Sequence, residues 1–98
     1  MAIKKCKNHL FEDFLIPDYM ESGVNLYIQF GIEPGSFLRA VICNDLKRAV
    51  MYADRNNMGS LPAYVDFFYN NSPMACWGSE KLYKAWIKRG GLKNDNAD

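Results

Sequence analysis

Ninety-eight residues hold one domain, and a composition 49% apolar and 14% aromatic gives that domain the material for a core, though a thin one. Twelve basic and eleven acidic residues leave a formal charge of +1, which excludes the global field that draws proteins onto nucleic acid or anionic membranes. Cys6, Cys43 and Cys76 show no C-x-x-C spacing and have only His9 as an imidazole companion, so they read as free thiols in a reducing compartment and no metal site is expected.

The chain starts with Lys4, Lys5 and Lys7, but polar Asn8-His9 and acidic Glu12-Asp13 follow where a signal peptide would carry its apolar run. No stretch approaches the ~20 apolar residues that cross a bilayer. A soluble, cytoplasmic protein without membrane contact is the expectation. Residues 8–15 suggest a helical turn with Leu10, Phe11, Phe14 and Leu15 as its apolar side, and His9 reads as a surface histidine.

Pro17 suits the first position of a helix, because its missing N–H has no partner to lose there. Met20, Val24, Tyr27 and Ile28 then recur at helical spacing, with Gly31 as the stop. Glu33-Pro34-Gly35-Ser36 is a turn in which Ser36 can cap the next helix. Phe37, Ala40 and Val41 mark one face of that helix, and Leu38, Ile42 and Leu46 another, as expected of the central, most buried element. Asn44-Asp45 interrupts the pattern. The helix either continues to about Arg55 through a distorted turn, the version favoured here, or breaks so that Asn44 caps a segment bearing Leu46, Ala49, Val50 and Ala53.

Ser60 is positioned to cap a third helix with Pro62 in its first turn and Leu61, Tyr64, Val65 and Phe68 as its inward stripe. Residues 71–78 form the longest loop. Ser79 caps the last helix, which directs Leu82, Ala85 and Trp86 inward and ends at Gly90-Gly91. The expected fold is therefore all-α, a compact single-domain bundle of about four helices around a central buried one. Residues 1–16 form a partly ordered N-terminal segment, 17–91 the helical domain and 92–98 a disordered tail.

Catalytic signatures are missing from the sequence: it has no phosphate-cradling glycine loop, no nucleophile elbow and no pair of metal-binding histidines. Two constellations suggest binding instead. The first is the loop over residues 70–79, where side-chain amides, an indole and a glycine precede a helix start. Together with the Asn44-Asp45 interruption and the next helix end, it makes Asn44, Asp45, Asp54, Asn57, Asn70, Asn71, Trp77 and Ser79 the candidate ligand- or partner-binding residues. The second is the basic row Lys81, Lys84, Lys88 and Arg89, which would serve a nucleic-acid-binding accessory protein.

Glu33-Pro34-Gly35-Ser36-Phe37-Leu38, Asn44-Asp45-Leu46, Ala53-Asp54-Arg55-Asn56-Asn57, Tyr69-Asn70, Pro73 and Cys76-Trp77-Gly78-Ser79 occur in that order within the stretch Glu33–Trp86, which is just over half of the chain. In this ordered set the chain resembles small, largely uncharacterised proteins of bacteriophage, prophage and other bacterial genomes. The resemblance implies an accessory protein working in the bacterial host cytoplasm, with no activity to carry over. The expectation that follows is a non-catalytic, cofactor-free binding protein that inhibits or sequesters a host defence protein or a nucleotide-like signal, with homo-oligomerisation as a further expectation.

Overall fold

In the computed structural model, which describes residues 4–93, the first long helix begins where proline permits it. Pro17 takes the cap position with φ −57° and ψ 142°, and α1 runs over Asp18–Phe30 with Asp18 and Glu21 at the positive end of its dipole. Val24, Tyr27 and Ile28 are buried as the spacing predicts, and Gly31 ends the helix in the left-handed conformation at φ 68°. A Cβ at Gly23 would stand 3.9 Å from the Leu38 side chain, an ordinary contact, so the packing of α1 beside Leu38 does not itself require glycine.

The second helix, α2, covers Ser36–Ile42 with Gly35 rather than Ser36 at its cap position, and Phe37, Leu38, Ala40, Val41 and Ile42 are all buried. It does not continue to Arg55. Asn44 turns left-handed at φ 60°, which brings its N–H to the Val41 carbonyl (3.1 Å) and the Asp45 N–H to the Ala40 carbonyl (2.8 Å). This is a Schellman closure, and asparagine tolerates the required conformation better than most side chains. Asp45, not Asn44, then opens α3 (Leu46–Tyr52) by accepting the Arg48 N–H. One residue pair closes one helix and starts the next, so α3 folds back on α2.

Asp54 caps the single turn α4 (Arg55–Met58). Ser60 precedes α5 (Leu61–Asn71), but its hydroxyl donates to the carbonyls of Leu15 (2.6 Å) and Asn56 (3.0 Å) instead of capping the helix. The inward face of α5 is Ala63, Tyr64, Phe67 and Phe68, rotated from the expected stripe so that Val65 is 52% exposed. A 3₁₀ turn at Met74–Cys76 leads to α6 (Glu80–Arg89), capped by Ser79 and ended by left-handed Gly90. Tyr83 and Trp86 are its buried residues, whereas Leu82 and Ala85 lie at the surface.

The bundle thus has six α-helices among the described residues rather than about four, and a small sheet joins them. Leu10–Phe11 (β1) pairs antiparallel with Phe14–Leu15 (β2), replacing the helical turn expected there. Glu12 and Asp13 make the two-residue link, with Glu12 at φ 55°. At the other end, Leu92 packs against the core rather than belonging to a disordered tail. Lys93 follows it as an exposed residue, and residues 94–98 of that expectation lie outside the described ones.

The two glycine-terminated helices, α1 and α6, meet end to end. A Cβ on Gly91, whose φ is +73°, would lie 2.6 Å from backbone atoms of Gln29, Phe30 and Gly31. Nothing but glycine fits that crossing. Gly91→Ala should cost about 2 kcal/mol or more and lower the thermal midpoint by roughly 10 °C. Gly35→Ala, where a Cβ meets nothing within 4 Å, should stay within ~1 kcal/mol of the parent. Calorimetry on the two variants checks the contrast, and equal midpoints would contradict it.

Candidate functional site

The fold-back at Asn44-Asp45 leaves a groove of about 400 Å³ between α3 and α5. Ala40 and Val41 of α2 form its floor, Leu46 and Ala49 of α3 one wall, and Leu61, Pro62 and Val65 of α5 the other. Trp77 and Gly78 close one end. Two interactions hold that end in place: the Gly78 N–H donates to the Ile42 carbonyl at 2.7 Å, and the Trp77 indole stacks on Phe68 with centroids 5.8 Å apart. The lining is almost wholly apolar, and its outer rim is unfilled, since Leu46 is 71% exposed. Asn44 and Asp45 supply its polar edge. Asp45 is already engaged, accepting from the Arg48 backbone (3.1 Å) and guanidinium (2.8 Å).

Of the eight residues expected to bind a ligand or partner, this groove brings together Asn44, Asp45 and Trp77. Asp54 and Asn57 line a different cleft, with Tyr19 and Met20. Asp54 accepts from the Tyr19 hydroxyl (2.5 Å) and the Asn57 N–H (2.7 Å), while the buried Asn57 amide accepts from the Tyr64 hydroxyl (2.5 Å). Asn70 donates back to the Asp66 carboxylate at 2.8 Å. The Asn71 carbonyl receives the Lys4 N–H, and Ser79 accepts the Leu82 N–H as a helix cap. The side chains of Asp45, Asp54, Asn57, Asn70 and Ser79 are thus engaged within the fold, with Arg48, Tyr19, Tyr64, Asp66 and backbone N–H groups as partners.

The lysines of the basic row are exposed, and Arg89 is half-buried. Lys81, Lys84 and Lys88 face solvent, Lys84 lies 3.6 Å from Glu80, and the Arg89 guanidinium sits 4.6 Å from the Trp86 ring centroid. The aromatic rings beside the row, Tyr83 and Trp86, are buried and present no stacking face.

Sequence reasoning missed Leu46, Ala49 and Val65 as site residues because it assigned their apolar side chains to the core. A signal was present in α5, where Leu61, Val65 and Tyr69 form an i, i+4, i+8 row beside the buried one, and a core of this size does not use both. It also missed His9, whose Nε2 lies 2.8 Å from Asp66 Oδ2 with its ring edge against Phe67. This imidazole is held by a carboxylate, not by a thiol. Burial pushes Cys6 up to about 12 and Cys76 up to about 11, and it raises Cys43 as well, so all three are protonated thiols at neutral pH. Among the described residues, no group of three or more His, Cys, Asp or Glu is placed to hold a metal ion. No helix among them is long and apolar enough to cross a membrane.

No protein-family model, curated protein or solved structure matches the chain.

Two caps carry a pH dependence. Hydrogen bonds from Arg48 lower the Asp45 carboxyl below its ordinary 3.8, and the Tyr19 hydroxyl, followed by the Asn57 N–H, lowers Asp54. The unfolded chain therefore takes up these protons first. Their contribution is complete above about pH 4 and is lost as pH falls through the depressed folded values. Asp54→Asn keeps a capping oxygen but removes one titration, so the urea midpoint should fall less steeply between about pH 4 and pH 2 than in the parent. Parallel curves would contradict this assignment.

Proposed function

We propose that this chain is a non-catalytic protein-binding domain, and that the α3–α5 groove receives an apolar row of side chains from an amphipathic helix of its partner. One observation carries the reading: a preformed apolar trough between two helices, closed at one end by an anchored indole and left open along its length. A third helix laid along two others packs its i, i+4, i+7 residues into such a trough. The half-buried Trp77 has the character of an interface anchor, a large ring whose position is fixed before binding. The cellular role implied by the resemblance, restraint of a host defence protein by a small phage-type accessory protein, belongs to this proposal and fits a surface that grips without reacting.

A nucleotide-like ligand is served less well. It needs several converging donors and acceptors, whereas Asn57 and Asn70 are committed to Tyr64 and Asp66. The nucleic-acid alternative retains its exposed lysines but has no aromatic platform beside them.

Titration with a panel of amphipathic helical peptides, read by indole fluorescence, tests the proposal. Val65→Glu places a charge in the groove wall and should weaken binding more than about tenfold. Lys81/Lys84/Lys88→Glu should leave binding unchanged. A panel without effect contradicts the reading. So does sub-micromolar duplex binding at physiological salt that the triple lysine variant abolishes.

A further inference from the structure

Among the described residues the buried polar side chains are those of Asn57, Ser60 and Ser72. Both serine hydroxyls donate to backbone carbonyls. Asn57 is only half satisfied. It is 4% exposed, and its Oδ1 accepts from the Tyr64 hydroxyl, but its Nδ2, which can donate twice, has no hydrogen-bond partner among the described residues. Burying such a donor without an acceptor is costly, and a ligand that supplies the acceptor removes the cost.

Asn57 lines a cleft of about 290 Å³ between α1, α2 and the α4 turn. Tyr19 and Met20 come from α1, Pro34 and Leu38 from α2 and the turn before it, and Asp54 from the α4 cap. The cap places Asp54 beside Asn57, because Asp54 Oδ1 accepts the Asn57 backbone N–H at 2.7 Å. The Tyr19 hydroxyl donates to Asp54 Oδ2 at 2.5 Å, which anchors a ring that is 54% exposed. These two bonds hold the Asp54 carboxyl ionised at neutral pH and leave it further lone pairs to offer.

An N–H donor thus stands next to a carboxylate acceptor in a cleft with an anchored aromatic ring and an apolar lining. The complement is a planar group with a carbonyl and an N–H side by side. A trans peptide lacks that edge, since its C=O and N–H point in opposite directions. A lactam ring and a ring carboxamide both have it. Charge narrows the class further: Asp54 is the one charged residue of the lining, so a phosphate is opposed and a neutral molecule admitted. The Tyr64 bond consumes only the oxygen of Asn57, and what the cleft refuses in a nucleotide is its phosphate, not its ring.

We propose that this cleft is a second binding site, for a small uncharged ring that presents a carbonyl and an N–H on one edge. The carbonyl accepts from Asn57 Nδ2, the N–H donates to Asp54, and the ring lies against Tyr19. The volume stands at the small end of ligand pockets, about 300–1,000 Å³, and suits a single ring system. The cleft shares no lining residue with the α3–α5 groove, so this site stands or falls independently of the protein-binding reading.

Amide NMR of the labelled full chain tests this through the side-chain NH2 signals of Asn57. Inosine and uridine offer the edge as lactams, nicotinamide and benzamide as ring carboxamides. At least one family should shift these signals saturably below about 10 mM. The N-methylated form of each binding probe loses the paired edge and should bind more than about tenfold more weakly. Inosine monophosphate should bind more weakly than inosine. Asp54→Asn, which keeps a capping oxygen, and Tyr19→Leu should each weaken binding more than about fivefold, with circular dichroism confirming that both fold. Asn57→Leu should abolish binding; if it does not fold, the exposed Asp54 and Tyr19 variants and the methylated probes decide. Binding of lactams alone assigns the site to a nucleobase-type ring, and of carboxamides alone to a nicotinamide-type ring. No saturable shift with either family overturns the proposal. So does a methylated probe that binds like its parent, or binding indifferent to both Asp54→Asn and Tyr19→Leu.

Discussion

The crossing of two helix ends organises this molecule. Left-handed Gly31 and Gly91 lie backbone against backbone, closer than any side chain allows. That approach lets the Trp86 indole N–H reach the Tyr27 carbonyl at 3.0 Å, one of the carbonyls at the end of α1. Tyr27 then carries the constraint inward. Its ring stacks on Tyr83, and its hydroxyl donates to the Cys76 carbonyl at 2.6 Å, which fixes the 3₁₀ turn. Two residues later Gly78 is tied to Ile42, and Trp77 between them rests on Phe68 at the end of the groove. The candidate binding surface is thus positioned by a chain of contacts that begins on the far helices.

A domain of this size has little interior to spare. Tyr27, Tyr64, Phe67, Phe68 and Trp86 already fill it, each at most 2% exposed. Of the apolar residues left over, Leu46 and Val65 line the groove between α3 and α5, and grouped exposure of this kind marks an interaction surface. The polar side chains behave in the opposite way. Asp45, Asp54, Asn57, Asn70 and Ser79 are engaged in caps and cross-links that hold short helices together. In six helices of four to thirteen residues, caps are needed more often than in a few long ones, and amides and carboxylates are consumed accordingly.

Helix starts and stops were largely legible in the chain because their causes are local. Pro17, Gly31, Ser79 and Gly90 each act within a few residues of themselves. The break at Asn44 was readable only as an alternative, since the same two residues suit a distorted helix or a closure, and the backbone bonds to Ala40 and Val41 decide between them. The hairpin was misread for a related reason. Leu10, Phe11, Phe14 and Leu15 fit one face of a helix, and what makes them strands is packing against α5 and the Ser60 bond, 45 residues away. Of the site, sequence reasoning found Trp77 and the Asn44-Asp45 edge and missed the walls. The groove assembles α2, α3, α5 and a loop, and no spacing within one segment encodes that meeting.

Amide NMR of the isotopically labelled chain, recorded as a binding-competent amphipathic peptide is added, tests most directly whether the α3–α5 groove is the working surface. The account predicts shifts at Leu46, Ala49 and Val65, together with Gly78, whose N–H is bonded to the Ile42 carbonyl, while the α6 lysine face stays still. Shifts confined to Lys81, Lys84 and Lys88, or to the cleft of Asp54 and Asn57, would contradict it.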